Sequence, residues 1–172
     1  MKRYTCCFTG HRDLKREELP IIGQKIERAI LKCLELGIYR FENGMALGFD
    51  ILAALHVLRL QEFHPEIELH LMIPCRDQCR KWTSRQELIY RDILARATSV
   101  TYLSNTYYDG CMRVRNYRMV DDSCACICCY DKARARGSGT AQTVRYAEKS
   151  GLLILNCLPD PDGNTNRSYF DL

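Results

Sequence analysis

The pattern of apolar and polar positions along the chain alternates between short apolar runs and longer amphipathic stretches. The short runs are rich in β-branched, aromatic and cysteine residues, which is typical of buried strands. Six of them predict strands, at residues 4–9, 39–42, 67–73, 99–103, 125–130 and 152–157.

The stretches between these runs predict helices. In the first of them, Leu19, Ile22, Ile26 and Ile30 follow the 3.6-residue period of a helix with one buried face, and Gly37 is placed to end it. The predicted helices cover about residues 17–36, 50–63, 84–97 and 113–121, and a fifth follows the glycine turn at 137–140 and ends near residue 149.

Strands that alternate with helices favour an α/β fold in which helices cover both faces of the sheet. We therefore expect a three-layer, Rossmann-like domain with a mainly parallel sheet of about six strands. A chain of 172 residues fits one such domain. No linker divides it, and the polar segment from about residue 159 to residue 172 is predicted to be irregular.

Composition narrows the classes of protein. The formal charge of +4 assists an anionic ligand but is small for a dedicated nucleic-acid binder. No run of 18 apolar residues predicts membrane insertion, and the first residues do not resemble a signal peptide, so we expect a cytoplasmic protein. The eleven cysteines lack the spacing of a metal site and are interpreted as reduced core residues, with neither metal nor other cofactor expected.

In parallel α/β sheets, ligands bind outside the carboxyl ends of the strands. The loop after the first strand, Thr9-Gly10-His11-Arg12, offers close backbone approach, a hydroxyl, an imidazole and a guanidinium suited to phosphate. A tight strand-exit turn with solvated His11 and Arg12 is the alternative interpretation.

The loop after the second strand contains Gly44 and Gly48 ahead of Asp50, at the predicted start of a helix. Helix N-termini attract anions, so the two glycines are predicted to make room for phosphate. Asp50 either caps the helix or accepts a hydrogen bond from a ribose hydroxyl. The loop matches neither a GxGxxG fingerprint nor a Walker loop.

Two further segments complete the predicted site. Gly137, Ser138, Gly139 and Thr140 follow the fifth strand and open a helix, although a plain connecting loop has the same composition. In the preceding predicted helix, Arg115 and Asn116 are the candidates to face a ligand, with Arg113 and Arg118 solvated on other sides.

Taken together and in this order, these motifs resemble the YpsA family of the SLOG superfamily, named after the Smf/DprA and LOG proteins. The matching segments are Thr-Gly-His-Arg, Gly-Met-Ala-Leu-Gly-Phe-Asp, Arg-Asn before Met-Val-Asp, and Gly-Ser-Gly-Thr after Tyr-Asp, so the resemblance runs from about residue 4 to residue 157. It implies a Rossmann-like domain that binds a nucleotide-derived ligand, such as an ADP-ribose-like molecule or a nucleoside phosphate, as a sensor or regulatory protein. It also implies a homodimer, by analogy with the superfamily.

The resemblance leaves two alternatives to pure binding. LOG proteins hydrolyse the N-glycosidic bond of nucleoside monophosphates with an arginine and a glutamate, but here Thr143 stands at the position of that glutamate. Asp50 and Asp131 are the carboxylates that could replace it. DprA proteins bind single-stranded DNA, which makes a nucleic-acid or protein-partner module the third interpretation.

Overall fold

A computed structural model of the chain describes residues 1–133 and 137–159, which form six strands, five α-helices and two short 3-10 helices. The strands are β1 (Thr5–Gly10), β2 (Arg40–Asn43), β3 (Glu68–Ile73), β4 (Ser99–Tyr102), β5 (Ala125–Cys129) and β6 (Leu153–Asn156). The helices are α1 (Leu19–Glu35), α2 (Phe49–Gln61), α3 (Ser84–Arg96), α4 (Cys111–Asp121) and α5 (Gly139–Lys149). The predicted elements are confirmed to within about two residues at each end; the predicted irregular tail falls almost wholly outside the described residues.

The six strands form one sheet in the order β4-β3-β2-β1-β5-β6, and every neighbouring pair is parallel. From β1 the chain adds β2, β3 and β4 on one side and then returns to place β5 on the other. The order therefore reverses at β1, and the loops that leave β1 and β5 diverge there. This is the position at which open α/β sheets form a ligand crevice.

Helices α1, α2 and α3 cover one face of the sheet, and α4 and α5 cover the other. The larger core lies on the first face, around Phe8, Phe41 and Phe49. All eleven cysteines are free thiols and nine are buried, which agrees with their interpretation as small apolar side chains. Within the described ranges, no helix is long and apolar enough to cross a membrane.

One charged side chain is buried on the α4 side of the sheet. Glu42 lies on β2 between Cys7 of β1 and His70 of β3, and only 7% of it is exposed. Its Oε2 atom has no hydrogen-bond partner among the described residues. Burial, reinforced by the charge of Asp122, raises the pKa of Glu42 to about 7. The sheet therefore carries a carboxyl group that favours its protonated form.

This carboxyl group makes stability depend on pH. Because the pKa of Glu42 is higher in the folded chain than the value of 4.5 in a model compound, its contribution is complete below about pH 4.5 and is lost as the pH rises through about 7. We expect Glu42→Gln to stabilise the chain at about pH 8, by up to about 3 kcal/mol, and to flatten this part of the pH profile. Urea unfolding of the original protein and of the Glu42→Gln variant between about pH 5 and pH 8 measures the effect.

The control is Glu17→Gln, which removes an exposed carboxylate and should leave the pH profile unchanged. A Glu42→Gln chain that loses as much stability as the original chain between pH 5 and pH 8 would contradict the assignment of the pH dependence to Glu42.

Candidate functional site

Most of the predicted site residues lie around one cavity of about 510 Å³, which we call the strand-end cavity. It opens where β1 and β5 diverge, beside the starts of α2, α4 and α5. The predicted residues that line it are Thr9, Gly10, His11, Arg12, Asp50, Arg115, Asn116, Ser138, Gly139 and Thr140. Their convergence follows from the parallel sheet, because all strand ends of one polarity meet at one edge.

The turn after β1 is fixed from three directions. The Thr140 hydroxyl donates a hydrogen bond to the Gly10 carbonyl at 2.9 Å. The His11 amide donates to the Cys129 carbonyl at 3.3 Å, and His11 Nε2 accepts from the Asp131 amide at 3.0 Å. A Cβ atom at Gly10 would overlap the ring of Phe49, so glycine is required by packing.

Arg12 differs from its neighbours in this turn because its side chain is exposed. Arg12 lines the strand-end cavity, and its guanidinium forms no hydrogen bond or ion pair with any residue in the described part of the chain. A cation in this position is available to an incoming anion.

The turn before α2 is held by Asn43 and Asp50. Asn43 Oδ1 accepts from the Met45 amide at 2.7 Å, and Asn43 Nδ2 donates to the Asp50 carbonyl at 2.8 Å. Asp50 Oδ2 accepts from the Ala46 amide at 3.3 Å. An asparagine followed by glycine is typical of such a turn, so the role of Asn43 was readable from the sequence although the site prediction omitted it.

Gly44 and Gly48 do not line the strand-end cavity, contrary to their predicted placement beside phosphate. A Cβ atom at Gly44 would overlap the Arg115 guanidinium, and one at Gly48 would overlap the backbone of Arg12. Gly48 also has a φ of +85°, which L side chains rarely adopt. The two glycines thus allow the Arg115 side chain and the Arg12 backbone to approach closely. They shape the cavity indirectly, through residues that line it.

The carboxyl group of Asp50 lines the strand-end cavity although only 5% of the residue is exposed. Burial raises the pKa of Asp50 to about 6, while the charges of Arg115 and Arg12 and the hydrogen bond from Ala46 act in the opposite direction. At neutral pH the group is therefore ionised in most molecules, and it is a strong hydrogen-bond acceptor.

Arg115 is buried, and the protein uses much of its hydrogen-bonding capacity. Its Nη1 donates to the carbonyls of Gly44 and Met72, and its Nε donates to Asn116 Oδ1 at 2.7 Å. Burial lowers the pKa of Arg115, but guanidinium groups remain charged in proteins. Arg115 therefore contributes a fixed positive charge to the cavity wall.

Asn116 and Thr143 link this arginine to α5. Asn116 Nδ2 donates to Thr143 Oγ1 at 3.0 Å, and the Thr143 hydroxyl donates to the Gly139 carbonyl at 2.8 Å. The position where LOG proteins carry glutamate is thus occupied by a buried hydroxyl with a structural role.

The first turn of α5 forms the remaining wall. Ser138 caps the helix through its hydroxyl, which accepts from the Ala141 amide at 3.1 Å. The amides of Gly139 and Thr140 lie in the first turn and have no acceptor within the helix. Together with the helix dipole they create positive potential at the cavity wall.

Two other predicted residues lie near this wall without lining the cavity. Gly137 is exposed, with open space around it, and the Asp131 carboxylate accepts from the Ala133 amide at 2.9 Å. Arg136, which precedes the glycine turn, falls outside the described residues. Conversely, Asp13, Ala46 and Met112 line the cavity and were not predicted. Nothing in the local sequence around Met112 signals its position.

The YpsA family model, described as the YspA SLOG family, matches residues 6–156 of this chain. It is the family that the motifs resemble. A UPF0398 protein of Halalkalibacterium halodurans is 30% identical over 113 residues, which are 64% of this chain and 60% of that protein. The SPbeta prophage-derived protein YoqJ of Bacillus subtilis is 28% identical over 146 residues, which are 77% of this chain and 84% of that protein.

Among solved structures, DNA processing protein A from Helicobacter pylori, described for its single-stranded DNA binding mode, has the same fold. The TM-score is 0.61 at 15% sequence identity, and the match covers 89% of this chain and 64% of that one. The chain thus spans less than two thirds of this structure and of the Halalkalibacterium relative.

The contact between Gly48 and the Arg12 backbone can be tested by mutation. We expect Gly48→Ala to destabilise the chain by about 2 kcal/mol or more, because the new methyl group meets backbone in addition to the strain of the positive φ. Urea unfolding measures the loss. Gly37→Ala is the matched control, since Gly37 has a φ of +77° but open space around it. Equal losses in the two variants would show that the contact with Arg12 contributes nothing.

Proposed function

The chain belongs to the YspA SLOG family, and from this premise we propose that its strand-end cavity binds a phosphorylated ligand derived from a nucleotide. The protein would act as a sensor or regulator whose state depends on that ligand. The cavity walls have to provide contacts for the three parts of such a ligand, which are a phosphate group, a sugar and a base.

One observation carries the phosphate assignment. The exposed Arg12 guanidinium, without an ion pair in the described ranges, lines the same cavity as the first-turn amides of α5. Arginine donates paired hydrogen bonds to phosphate oxygens, and helix N-termini bind phosphate through backbone amides. The fixed charge of Arg115 adds to this potential. An anion between Arg12 and α5 would meet donors on two sides.

Asp50 supports a sugar next to this phosphate. A buried, ionised carboxylate repels a second anion but accepts hydrogen bonds from hydroxyl groups. It lines the same cavity as Arg12 and is stabilised by the charge of Arg115. A ligand that carries a ribose beside a phosphate matches this arrangement of opposite charges.

Ligand binding should raise the thermal stability of the chain. With a panel of nucleoside phosphates and ADP-ribose, we expect a stabilisation of about 2.7 kcal/mol for a ligand present at about 100 times its Kd. Arg12→Ala should weaken binding by about tenfold or more, since it removes the exposed cation. Thermal unfolding and isothermal titration calorimetry measure both effects.

Arg16→Ala is the control for the loss of one positive charge, because Arg16 is exposed in the next turn of the chain and lines none of the cavities described here. A flat thermal response across the whole panel, or equal effects of the two arginine variants, would contradict the proposed phosphate site.

The proposal also predicts the fate of a bound nucleotide. Cleavage of an N-glycosidic bond develops positive charge on the sugar and needs a carboxylate beside it. Thr143 provides none at the position of the LOG glutamate, and the Asp50 carboxylate is held by the Ala46 amide and the charge of Arg115. We therefore expect AMP to be recovered intact after prolonged incubation, as measured by chromatography of the released base. Release of adenine that is abolished in Asp50→Asn would instead assign the chain to the nucleotide N-glycosidases, with Asp50 as the essential carboxylate.

Single-stranded DNA is a second candidate ligand. The observation in its favour is the shared fold with DNA processing protein A, together with exposed cations near the strand-end cavity. The small net charge of +4 argues against extended contacts with a DNA backbone. Retardation of a labelled oligonucleotide that weakens steeply with salt and requires Arg12 would favour this candidate.

A further inference from the structure

A second cavity adjoins the strand-end cavity. A neighbouring cavity of about 500 Å³ shares Arg12 and Met112 with it and continues past Met112 to Arg80, Lys81, Trp82 and Tyr107. We call this neighbouring cavity the side groove. The two cavities therefore adjoin at Arg12 and Met112.

The side groove carries cations that have no ion pair among residues 1–133 and 137–159. Arg80 and Lys81 are exposed, and neither forms an ion pair with a carboxylate in the described part of the chain. Some exposed arginines elsewhere are paired with carboxylates, as in Arg91 with Glu87 and Arg118 with Asp122. Asp77 also lines the side groove, so its lining contains one carboxylate and three cations, Arg12, Arg80 and Lys81. A second anionic group of a ligand would balance this surplus.

The side groove also presents an aromatic surface. Tyr107 is 59% exposed, and it lines both the side groove and a smaller cavity that begins at Met112. Trp82 is half-buried and packs edge-on against Tyr90 at a centroid distance of 5.2 Å, so the protein core holds it in place. Of the two rings, Tyr107 is the one whose face can stack on a base.

We propose that the ligand is a dinucleotide, in which two nucleoside units are joined through their 5′ positions by phosphoanhydride bonds. One half lies in the strand-end cavity as described under the proposed function, on which this inference rests. The linking phosphates pass Met112 between Arg12 and the pair Arg80 and Lys81, and the second base stacks on Tyr107.

The carboxylates around the cavities favour this class over a nucleic acid. Asp13 lines the strand-end cavity, Asp77 lines the side groove and Asp109 lines the smaller cavity at Met112. Proteins that bind single strands present a continuous basic groove to the phosphates, whereas here each of these cavities carries a carboxylate among its cations. A dinucleotide ends within the two cavities.

The test compares diadenosine tetraphosphate with AMP by isothermal titration calorimetry on the full chain. We expect the dinucleotide to bind at least about tenfold more tightly, and Arg80→Ala/Lys81→Ala to remove this advantage. Arg16→Ala/Arg85→Ala removes the same charge from exposed positions outside the cavities and should preserve the advantage. Tyr107→Ala should also weaken the dinucleotide, whereas Tyr108→Ala should not, since its neighbouring exposed ring lines none of these cavities.

Three results would overturn the inference. Equal affinities for the dinucleotide and AMP would leave the proposed phosphate site in place and exclude the second half. An oligothymidylate that binds more tightly than the dinucleotide, and loses affinity in Arg80→Ala/Lys81→Ala, would assign the side groove to single-stranded DNA. Absence of binding to both AMP and the dinucleotide would overturn the proposed function together with this inference.

Discussion

The buried guanidinium of Arg115 is the interaction on which the rest of the site depends. It joins the turn before α2, the end of β3 and the side chain of Asn116, and through Asn116 and Thr143 it reaches the start of α5. A buried cation is stable only when its donors and its charge are satisfied. Here the Gly44 and Met72 carbonyls accept from Nη1, Asn116 accepts from Nε, and Asp50 lies close enough to balance the charge. The walls of the cavity are thereby held in one arrangement before any ligand arrives.

This arrangement divides the charged groups between two tasks. Arg115 and Asn43 form hydrogen bonds with other groups of the protein, so they position the turn before α2. Arg12 is exposed and has no ion pair within the described residues, so it remains available to a ligand. The glycines follow the same division, because Gly44 and Gly48 admit protein groups, whereas Gly139 in the first turn of α5 lines the cavity. Preorganised polar groups of this kind lower the entropic cost of binding a small anion.

Burial of a carboxyl group costs free energy when the group is ionised, and the two buried acidic residues show this. Asp50 and Glu42 both have a raised pKa because burial disfavours the charged carboxylate. For Asp50, which lines the cavity, the charges of Arg115 and Arg12 and the hydrogen bond from the Ala46 amide offset part of this desolvation cost. Glu42 lies away from the cavity on β2, and no hydrogen bond to its Oε2 atom is formed in the described part of the chain. The difference between them is one of partners, since both are almost fully buried.

The sequence by itself determined the fold class and the edge of the sheet at which to look. Apolar runs and helical periodicity are local signals, and parallel strands necessarily bring the loops at Thr9–Arg12 and Ser138–Thr140 to one edge. The sequence did not determine that Arg115 turns inward, that Gly44 and Gly48 admit protein groups, or that Met112 lies where the cavities meet. Those features depend on contacts between segments far apart in the chain, and a local pattern carries no information about which partner a side chain will meet. Only the order of the strands and the packing of α2, α4 and α5 around it decided them.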